Sequence, residues 1–283
     1  MGMRKRAFLF CALAAFEALA PVTGAFQHLG QVIASALRIT DIAEQEPEVK
    51  FSAGQTAVPE QVALTLSNVT FAYDKQAQNA LEDISLSVDA GQRIAILGRT
   101  GCGKSTLLQL LTRAWDPQQG EIRFNDLPLS DYSEAALRKT VSVVPQRVHL
   151  FSATLRDNLL LAAPDASDDT LRAMLEQVGL HKLLEDDGLN SWLGEGGRQL
   201  SGGELQRFCI ARALAANPRY LLADEITAMF DAVTQSQIWQ ALLHEAKERE
   251  LGMVIVSHSE SLLKRICTRR IDLKALQEKM AAV

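Results

Sequence analysis

The sequence predicts an α/β fold, on the basis of three patterns. Residues 94–111 run from an apolar stretch through a glycine-rich turn into a segment with helical composition. Two further apolar runs, 220–223 and 253–256, are each followed by polar side chains, as buried strands often are. Residues 62–66 and 81–88 alternate apolar and polar side chains. We therefore expect an α/β core with an antiparallel β region.

The composition is that of an ordinary globular protein. The chain has 283 residues, of which 47% are hydrophobic and 22% are charged. Its formal net charge is −5, and no basic run with interleaved aromatic residues occurs, so we expect no nucleic-acid partner. The four cysteines, Cys11, Cys102, Cys209 and Cys267, lack the paired spacing of a zinc site or a disulfide framework.

The N-terminal segment, residues 1–37, is apolar apart from a basic start and Glu17. It has three interpretations: a secretory signal, a buried or interfacial helix, or the last transmembrane helix of a longer membrane domain. A span needs about 20 apolar residues, and this segment reaches that length only if it includes Glu17 and Pro21. We favour the third interpretation, a helix that faces partner helices in a membrane. Residues 38–60 are rich in acidic residues and proline, so we expect a solvated linker before a domain over 61–283.

Tyr73 closes the segment between the two predicted antiparallel strands. Its ring could stack on the adenine of a bound nucleotide. The alternative is an ordinary cross-strand packing residue, and the spacing alone does not exclude it. We favour stacking because of the motif that follows.

A phosphate-binding loop follows the apolar stretch at residue 97. The glycines allow the backbone N–H groups to turn toward a triphosphate, and the next helix adds the positive end of its dipole. Lys104 would reach the β- and γ-phosphates, and the Ser105 hydroxyl would bind Mg²⁺. The sequence therefore predicts binding of ATP or a similar nucleotide with magnesium. The residues of this motif are Gly98, Arg99, Thr100, Gly101, Cys102, Gly103, Lys104, Ser105 and Thr106.

Polar residues at three strand ends are candidates for the chemistry. Gln146 could hold Mg²⁺ or the attacking water, although a glutamine after a proline is often only part of a turn. Asp224 could hold Mg²⁺ through water, and Glu225 could accept the proton of a water attacking the γ-phosphate. His258 could contact the γ-phosphate and orient Glu225, although a lone histidine is more often structural.

A second anion site is predicted where Ser201 precedes a helix. Ser201 is a plausible N-cap, and the glycines after it leave backbone N–H groups open to a phosphate. Leu205, Phe208 and Cys209 share one face of that helix, so we expect them in the core rather than in a site.

Residues 61–260 resemble the ATPases of ATP-binding cassette (ABC) transporters, because the phosphate loop, Gln146, Leu200–Glu204, Asp224–Glu225 and His258 occur in that family's order. The resemblance implies an α/β core of the phosphate-loop NTPase class, an antiparallel β subdomain and a helical subdomain that carries the Leu200–Glu204 signature. It also implies a dimer that encloses two ATP molecules, each between one domain's phosphate loop and the other's signature. The nucleotide-contacting residues that the resemblance adds are Ser201, Gly202, Gly203, Glu204 and Asp231.

Two branches of that family are similar to different parts of the chain. Residues 14–31, 95–105 and 144–158 carry the likeness of the front portion, which resembles subunits of bacterial heterodimeric cysteine/glutathione exporters, the kind needed for cytochrome bd assembly. From about Ala215 the sequence looks more like peptide and nickel importer ATPases, and Ile226 stands where exporters usually have proline. The resemblance implies a transmembrane domain and a second ATPase domain as partners. It also implies a place at the bacterial inner membrane, with the ATPase on the cytoplasmic side.

Other functions in the same family are open at this stage. They are the ATPase subunit of a peptide- or nickel-type importer, a soluble ABC ATPase without transport, and a regulatory partner with an inactive site. The last is disfavoured because Lys104, Glu225 and His258 are all present.

Overall fold

The computed structural model describes residues 2–51, 53–57, 61–73, 78–228 and 230–281, and the chain divides into two compact units, Met1–Glu48 and Val49–Val283. The helices are α1 (Gly2–Ala43), α2 (Lys104–Leu111), α3 (Glu134–Thr140), α4 (Leu155–Leu160), α5 (Asp168–Gln177), α6 (Gly202–Ala215), α7 (Ala232–Glu248), α8 (Glu260–Ile266) and α9 (Leu273–Ala281). The strands are β1 (Leu64–Phe71), β2 (Leu81–Val88), β3 (Arg93–Leu97), β4 (Gln119–Phe124), β5 (Leu127–Pro128), β6 (Val141–Val144), β7 (Ala153–Thr154), β8 (Trp192–Leu193), β9 (Tyr220–Asp224), β10 (Gly252–Val256) and β11 (Arg269–Asp272).

The first unit contains the long helix α1. This helix continues past the predicted boundary at residue 37 to Ala43. Many of its large apolar side chains are exposed, among them Phe8, Phe16 and Ile42. Within the described residues, none of the helices has both the length and the sustained hydropathy needed to cross a bilayer. The interpretation of residues 1–37 as a former membrane span therefore stays a prediction.

A five-stranded parallel sheet, in the order β11-β3-β10-β9-β6, forms the centre of the second unit. All of β10 and the first four residues of β9 are buried, because helices and loops cover both faces of a parallel sheet. Parallel pairing brings the carboxyl ends of the strands to one edge. That edge carries the phosphate loop after β3, Gln146 after β6, Asp224 at the end of β9, and His258 after β10.

The predicted antiparallel region is confirmed as a sheet of order β2-β1-β4-β5. In the register of β1 with β2, Leu64 lies opposite Val88 and Leu66 opposite Leu86. The inward side chains of this sheet join one buried cluster with Leu107 and Leu110 of α2. The antiparallel sheet therefore packs against the helix that follows the phosphate loop.

The region after residue 152 consists of several short helices. Its sequence has helical periodicity over residues 152–184, and the structure divides this stretch into α4, α5 and a short 3-10 turn at His181–Leu184. The division follows from local capping, because Thr154 and Ser167 each accept a hydrogen bond at a new helix start. Leu155, Leu171 and Phe208 pack in one buried cluster with residues of the central sheet.

The predicted linker over residues 38–60 is shorter than expected, in the part of it that the structure describes. The second unit begins at Val49, and the Phe51 ring lies 4.7 Å from the guanidinium carbon of Arg113. The Gln55 backbone N–H donates to the Asp131 carbonyl at 2.7 Å. These contacts bring residues 49–51 and 53–57 into the domain, whereas the acidic composition indicates a solvated segment. Residues 52 and 58–60 lie outside the described ranges.

Tyr220, at the start of β9, joins the two sheets. Its buried hydroxyl lies 2.5 Å from the Val62 carbonyl and 2.7 Å from the Val88 carbonyl, and it accepts a hydrogen bond from the Leu64 N–H at 3.2 Å. The ring occupies the space beside Gly252, where an added Cβ would lie 2.4 Å from a ring carbon. Burial raises the pKa of Tyr220, so the phenol stays protonated and can donate.

Tyr220→Phe should lower the free energy of unfolding by about 1–3 kcal/mol, because it leaves buried carbonyl and N–H groups without their partner. Urea denaturation measures the change. Tyr132→Phe is the matched control, because Tyr132 is also buried but burial alone, without a hydrogen bond, accounts for its raised pKa. Equal losses in the two variants would contradict a joining role for the Tyr220 hydroxyl.

Candidate active site

The loop between β3 and α2 has the backbone shape of an anion cradle. Gly101 and Gly103 adopt left-handed conformations, with φ of 83° and 97°. A Cβ at Gly103 would lie 2.5 Å from the Ala80 carbonyl oxygen, so this position accepts only glycine. A Cβ at Gly101 would meet no atom within 4 Å, which leaves open space on that side of the loop.

Lys104 places its ammonium inside this loop. The residue is only 8% exposed, and its Nζ donates to the carbonyls of Gly98 and Arg99 at 2.8 and 3.0 Å. A buried cation at the N-terminus of α2 makes the loop electropositive. The cavity in front of the loop has a volume of about 380 Å³ and is lined by Tyr73, Ala80, Thr100, Gly101, Gly103, Lys104, Ser105, Thr106, Gln146, Asp224, Glu225 and His258.

Glu225 is held between two of the predicted site residues. Its Oε1 lies 2.8 Å from Nε2 of His258, and its Oε2 accepts a hydrogen bond from Nε2 of Gln146 at 3.1 Å. The Glu225 backbone is left-handed, with φ of 50°, and its N–H donates to the Val256 carbonyl. Such a backbone is strained for a residue other than glycine, and it persists here because its neighbours fix it. These contacts therefore fix the orientation of the Glu225 carboxylate.

Asp224 has a different environment from Glu225. Burial raises the pKa of Asp224, the neighbouring Glu225 carboxylate raises it further, and Lys104 lowers it. The Asp224 carboxylate, the Ser105 hydroxyl and the Gln146 amide oxygen belong to side chains that line the same cavity. Oxygen donors of these types suit Mg²⁺, so the residues present fit a magnesium ion beside the phosphate loop.

Tyr73 lines the cavity and also packs against the domain. Its hydroxyl donates to Oε1 of Gln109 at 2.7 Å and lies 3.1 Å from Oγ1 of Thr106. Its ring meets those of Phe71 and Trp115 edge-on. The place of Tyr73 on the cavity is compatible with stacking on a nucleotide base, and its ring contacts are those of a packing residue. Stacking on adenine therefore stays a prediction.

The second predicted anion site lies at the start of α6. Ser201 and Glu204 form a capping box: the Ser201 hydroxyl and N–H both donate to Oε2 of Glu204, and the Glu204 N–H donates to Ser201 Oγ. The Ser201 hydroxyl and then its backbone N–H hold the pKa of Glu204 below its usual range. Among the described residues that line the phosphate-loop cavity, neither Ser201 nor Glu204 appears.

Asp231 belongs with this second cluster rather than with the phosphate loop. Its carboxylate caps α7 by accepting from the N–H groups of Val233 and Thr234. A Cβ on Gly203 would lie 3.6 Å from Thr234, and one on Gly202 would lie 3.7 Å from Phe230. The starts of α6 and α7 are therefore adjacent, and they bring Ser201, Gly202, Gly203, Glu204 and Asp231 to one region.

Two contacts with the site were missed by the sequence analysis. Gln109 accepts a hydrogen bond from the Tyr73 hydroxyl. Its position four residues after Ser105 places it on the same face of the helix, and this spacing could have indicated that it lies near the site. Gln277 of α9 donates to the Cys102 carbonyl at 3.3 Å. No local pattern connects Gln277 with the phosphate loop, because the two are 175 residues apart.

The family comparison covers the middle of the chain. Residues 81–228, slightly more than half of the chain, match the model of a family described as ABC transporter. The matched range includes the phosphate loop, Gln146, residues 201–204 and Glu225, whereas Asp231 and His258 lie beyond it.

Curated proteins and a solved structure agree with this match. The chain is 67% identical over 247 residues to the glutathione/L-cysteine transport system ATP-binding/permease protein CydC of Escherichia coli (strain K12), covering 87% of this chain and 43% of that protein. It is 47% identical over 254 residues to the protein of the same name from Haemophilus influenzae, covering 89% and 44%. A bacterial Atm1-family ABC exporter with ATP bound superimposes with a TM-score of 0.76 at 29% identity, covering 91% and 45%. The chain spans less than half the length of these relatives.

Proposed function

Because this chain belongs to the ABC transporter family, we propose that it is the ATP-hydrolysing domain of an exporter of thiol compounds such as cysteine or glutathione, and that it works as a dimer. The observation that carries the ATPase activity is the placement of Glu225 between Gln146 and His258, on the cavity that the phosphate loop also lines.

Each residue of this cavity has a role in the proposed reaction. Glu225 accepts the proton of the water that attacks the γ-phosphate, and His258 and Gln146 hold the carboxylate in position. Lys104 and the N–H groups of the phosphate loop bind the phosphates. A magnesium ion held by Ser105, Gln146 and Asp224 would neutralise phosphate charge. The left-handed backbone of Glu225 keeps the base close to its hydrogen-bond partners throughout.

The dimer explains why one chain has two anion-binding regions. The Ser201 cluster, with Gly202, Gly203, Glu204 and Asp231, lies apart from the described residues that line the phosphate-loop cavity. A nucleotide bound at the phosphate loop of one copy would be enclosed by the Ser201 cluster of a second ATPase domain, identical or related. Binding would close the pair and hydrolysis would open it.

Export of thiol compounds is favoured by the relatives' names and by the extent of the likeness. The 67% identical relative aligns with 87% of this chain, so the similarity extends well past the first half. The alternative of a peptide- or nickel-type importer, suggested by residues after 215, is less favoured for this reason. The transport function also requires a transmembrane domain, at a bacterial inner membrane with the ATPase on the cytoplasmic side.

Glu225→Gln should keep ATP binding but lower hydrolysis by about 100-fold or more, because the amide cannot accept a proton. Phosphate release and equilibrium ATP binding measure the two properties. Glu260→Gln is the control, because it removes the same charge from an exposed residue in a nearby helix. A Glu225→Gln variant that hydrolyses ATP at the normal rate would overturn the assignment of the base.

Ser201→Ala should lower ATP hydrolysis by about tenfold and weaken ATP-dependent dimerisation, because it removes a hydroxyl from the surface that would enclose the partner's nucleotide. It should also cost about 1 kcal/mol of stability as a lost N-cap. Ser167→Ala, at the N-cap of α5, is the matched control for that cost. If the two variants lose activity equally, the role of Ser201 is helix capping alone.

The assignment to a transporter has its own test. Affinity purification of the full chain from detergent-solubilised bacterial membranes should recover a polypeptide with a transmembrane domain in a stable ratio. The Glu225→Gln variant with ATP should retain this partner more completely, because it is arrested in the closed dimer. Recovery of the chain as a stable species without a membrane polypeptide would contradict the transport function while leaving the ATPase function intact.

A further inference from the structure

We propose that Gln109 is a positioning residue for nucleotide binding: by accepting the hydrogen bond of the Tyr73 hydroxyl, it fixes the Tyr73 ring relative to the phosphate loop, where the ring meets the base of the bound nucleotide. The inference rests on the proposed ATP binding. It deepens that function by assigning a residue that acts through Tyr73 rather than by touching the nucleotide.

The first argument is the position of the contact on α2. This helix begins at Lys104, and Thr106 and Gln109 follow two and five residues later. A helix rises about 1.5 Å per residue, so the two partners of the Tyr73 hydroxyl lie roughly 3–8 Å along the helix axis from Lys104, the residue proposed to bind phosphate. Both contacts of the hydroxyl are with the same helix. The same helix therefore holds both the Tyr73 ring and the end of the phosphate loop, which fixes their relative position.

The second argument is the restraint on the plane of the ring. The centroid of the Tyr73 ring lies 4.9 Å from that of Phe71 and 5.6 Å from that of Trp115, with interplanar angles of 88° and 89°. These edge-on contacts are among the preferred arrangements of aromatic pairs. Together with the anchored hydroxyl, they leave the side chain little freedom to rotate. The ring is then ordered before the nucleotide arrives, so binding does not have to order it.

The third argument concerns the hydroxyl proton. The Tyr73 hydroxyl has one proton, and the shorter contact, 2.7 Å to Gln109, takes it. The Thr106 hydroxyl at 3.1 Å can donate back to the Tyr73 oxygen. Gln109 itself is on the exposed face of α2. It can therefore be replaced at small cost to folding, which makes the role testable.

The experiment measures equilibrium binding of ATP and of inorganic tripolyphosphate, with magnesium, to the full chain and its variants. Tripolyphosphate has the phosphate groups and lacks a base. Tyr73→Phe and Gln109→Ala should each weaken ATP binding by about threefold, the size expected of one partly exposed hydrogen bond, and leave tripolyphosphate binding unchanged. The double variant should be no weaker than either single one, because both changes remove one bond.

Steady-state kinetics provide a second readout. KM for ATP should rise in Tyr73→Phe and Gln109→Ala while kcat stays constant, whereas a general loss of structure would lower kcat. Gln177→Ala, an exposed glutamine at the end of α5, is the control and should change neither. Tyr73→Ala measures the contribution of the whole ring, with an expected loss of about tenfold in ATP affinity, because the variant has no aromatic ring to stack on the base.

The outcomes separate this proposal from the proposed function. If Tyr73→Phe binds ATP as well as or better than the wild type, the hydroxyl contact does not position the ring and the proposal is wrong. If tripolyphosphate binding falls as much as ATP binding, Gln109 supports the phosphate loop instead, which also overturns it. If Tyr73→Ala has no effect, stacking itself is absent. Failure of the wild-type chain to bind ATP at all would remove the proposed function as well.

Discussion

The site depends on the parallel pairing of β3, β10 and β9. In this register Val256 lies beside Ile96 on one side and beside Asp224 on the other. The three strands therefore end at the same edge of the sheet, level with one another along the strand direction. The phosphate loop, the pair Asp224–Glu225 and the turn to His258 emerge together. A shift of one residue in any of these strands would turn its side chains to the opposite face and separate the base from the phosphate loop.

Negative charge is concentrated at that shared edge, and neighbouring side chains compensate for it. Asp224 and Glu225 are adjacent carboxylates, and burial of Asp224 makes its ionisation more costly. Lys104 opposes this from the loop, where two carbonyls hold its ammonium. Glu225 receives hydrogen-bonding groups from two further strand ends. The repulsion between the two carboxylates is thus offset by the Lys104 ammonium and by the hydrogen bonds that side chains at the ends of the same sheet's strands make with Glu225.

The sequence predicted most of this edge, because each of its residues follows a short apolar run or a glycine pattern with a local mechanism. Gly103, Glu225 and His258 could be assigned that way. Two classes of feature could not. One is the contact between distant segments, as between Gln277 and Cys102, which leaves no local pattern. The other is the packing of a segment whose composition indicates exposure to solvent. There Arg113 is the partner of the Phe51 ring, and the Asp131 carbonyl is the partner of the Gln55 N–H. Tyr73 lies between these cases: its place on the cavity of the phosphate loop agrees with the predicted stacking, whereas its hydrogen bonds to α2 could not be predicted.

Tyr220 and Gly252 show how the far end of the same sheet limits sequence change. The Tyr220 ring fills the volume that any side chain at position 252 would need. A larger residue at position 252 is compatible with the fold only if position 220 becomes smaller, and that change would remove the hydroxyl that joins the two sheets. Single substitutions at either position are therefore harmful, and the two positions are expected to covary among homologous chains as a size-complementary pair.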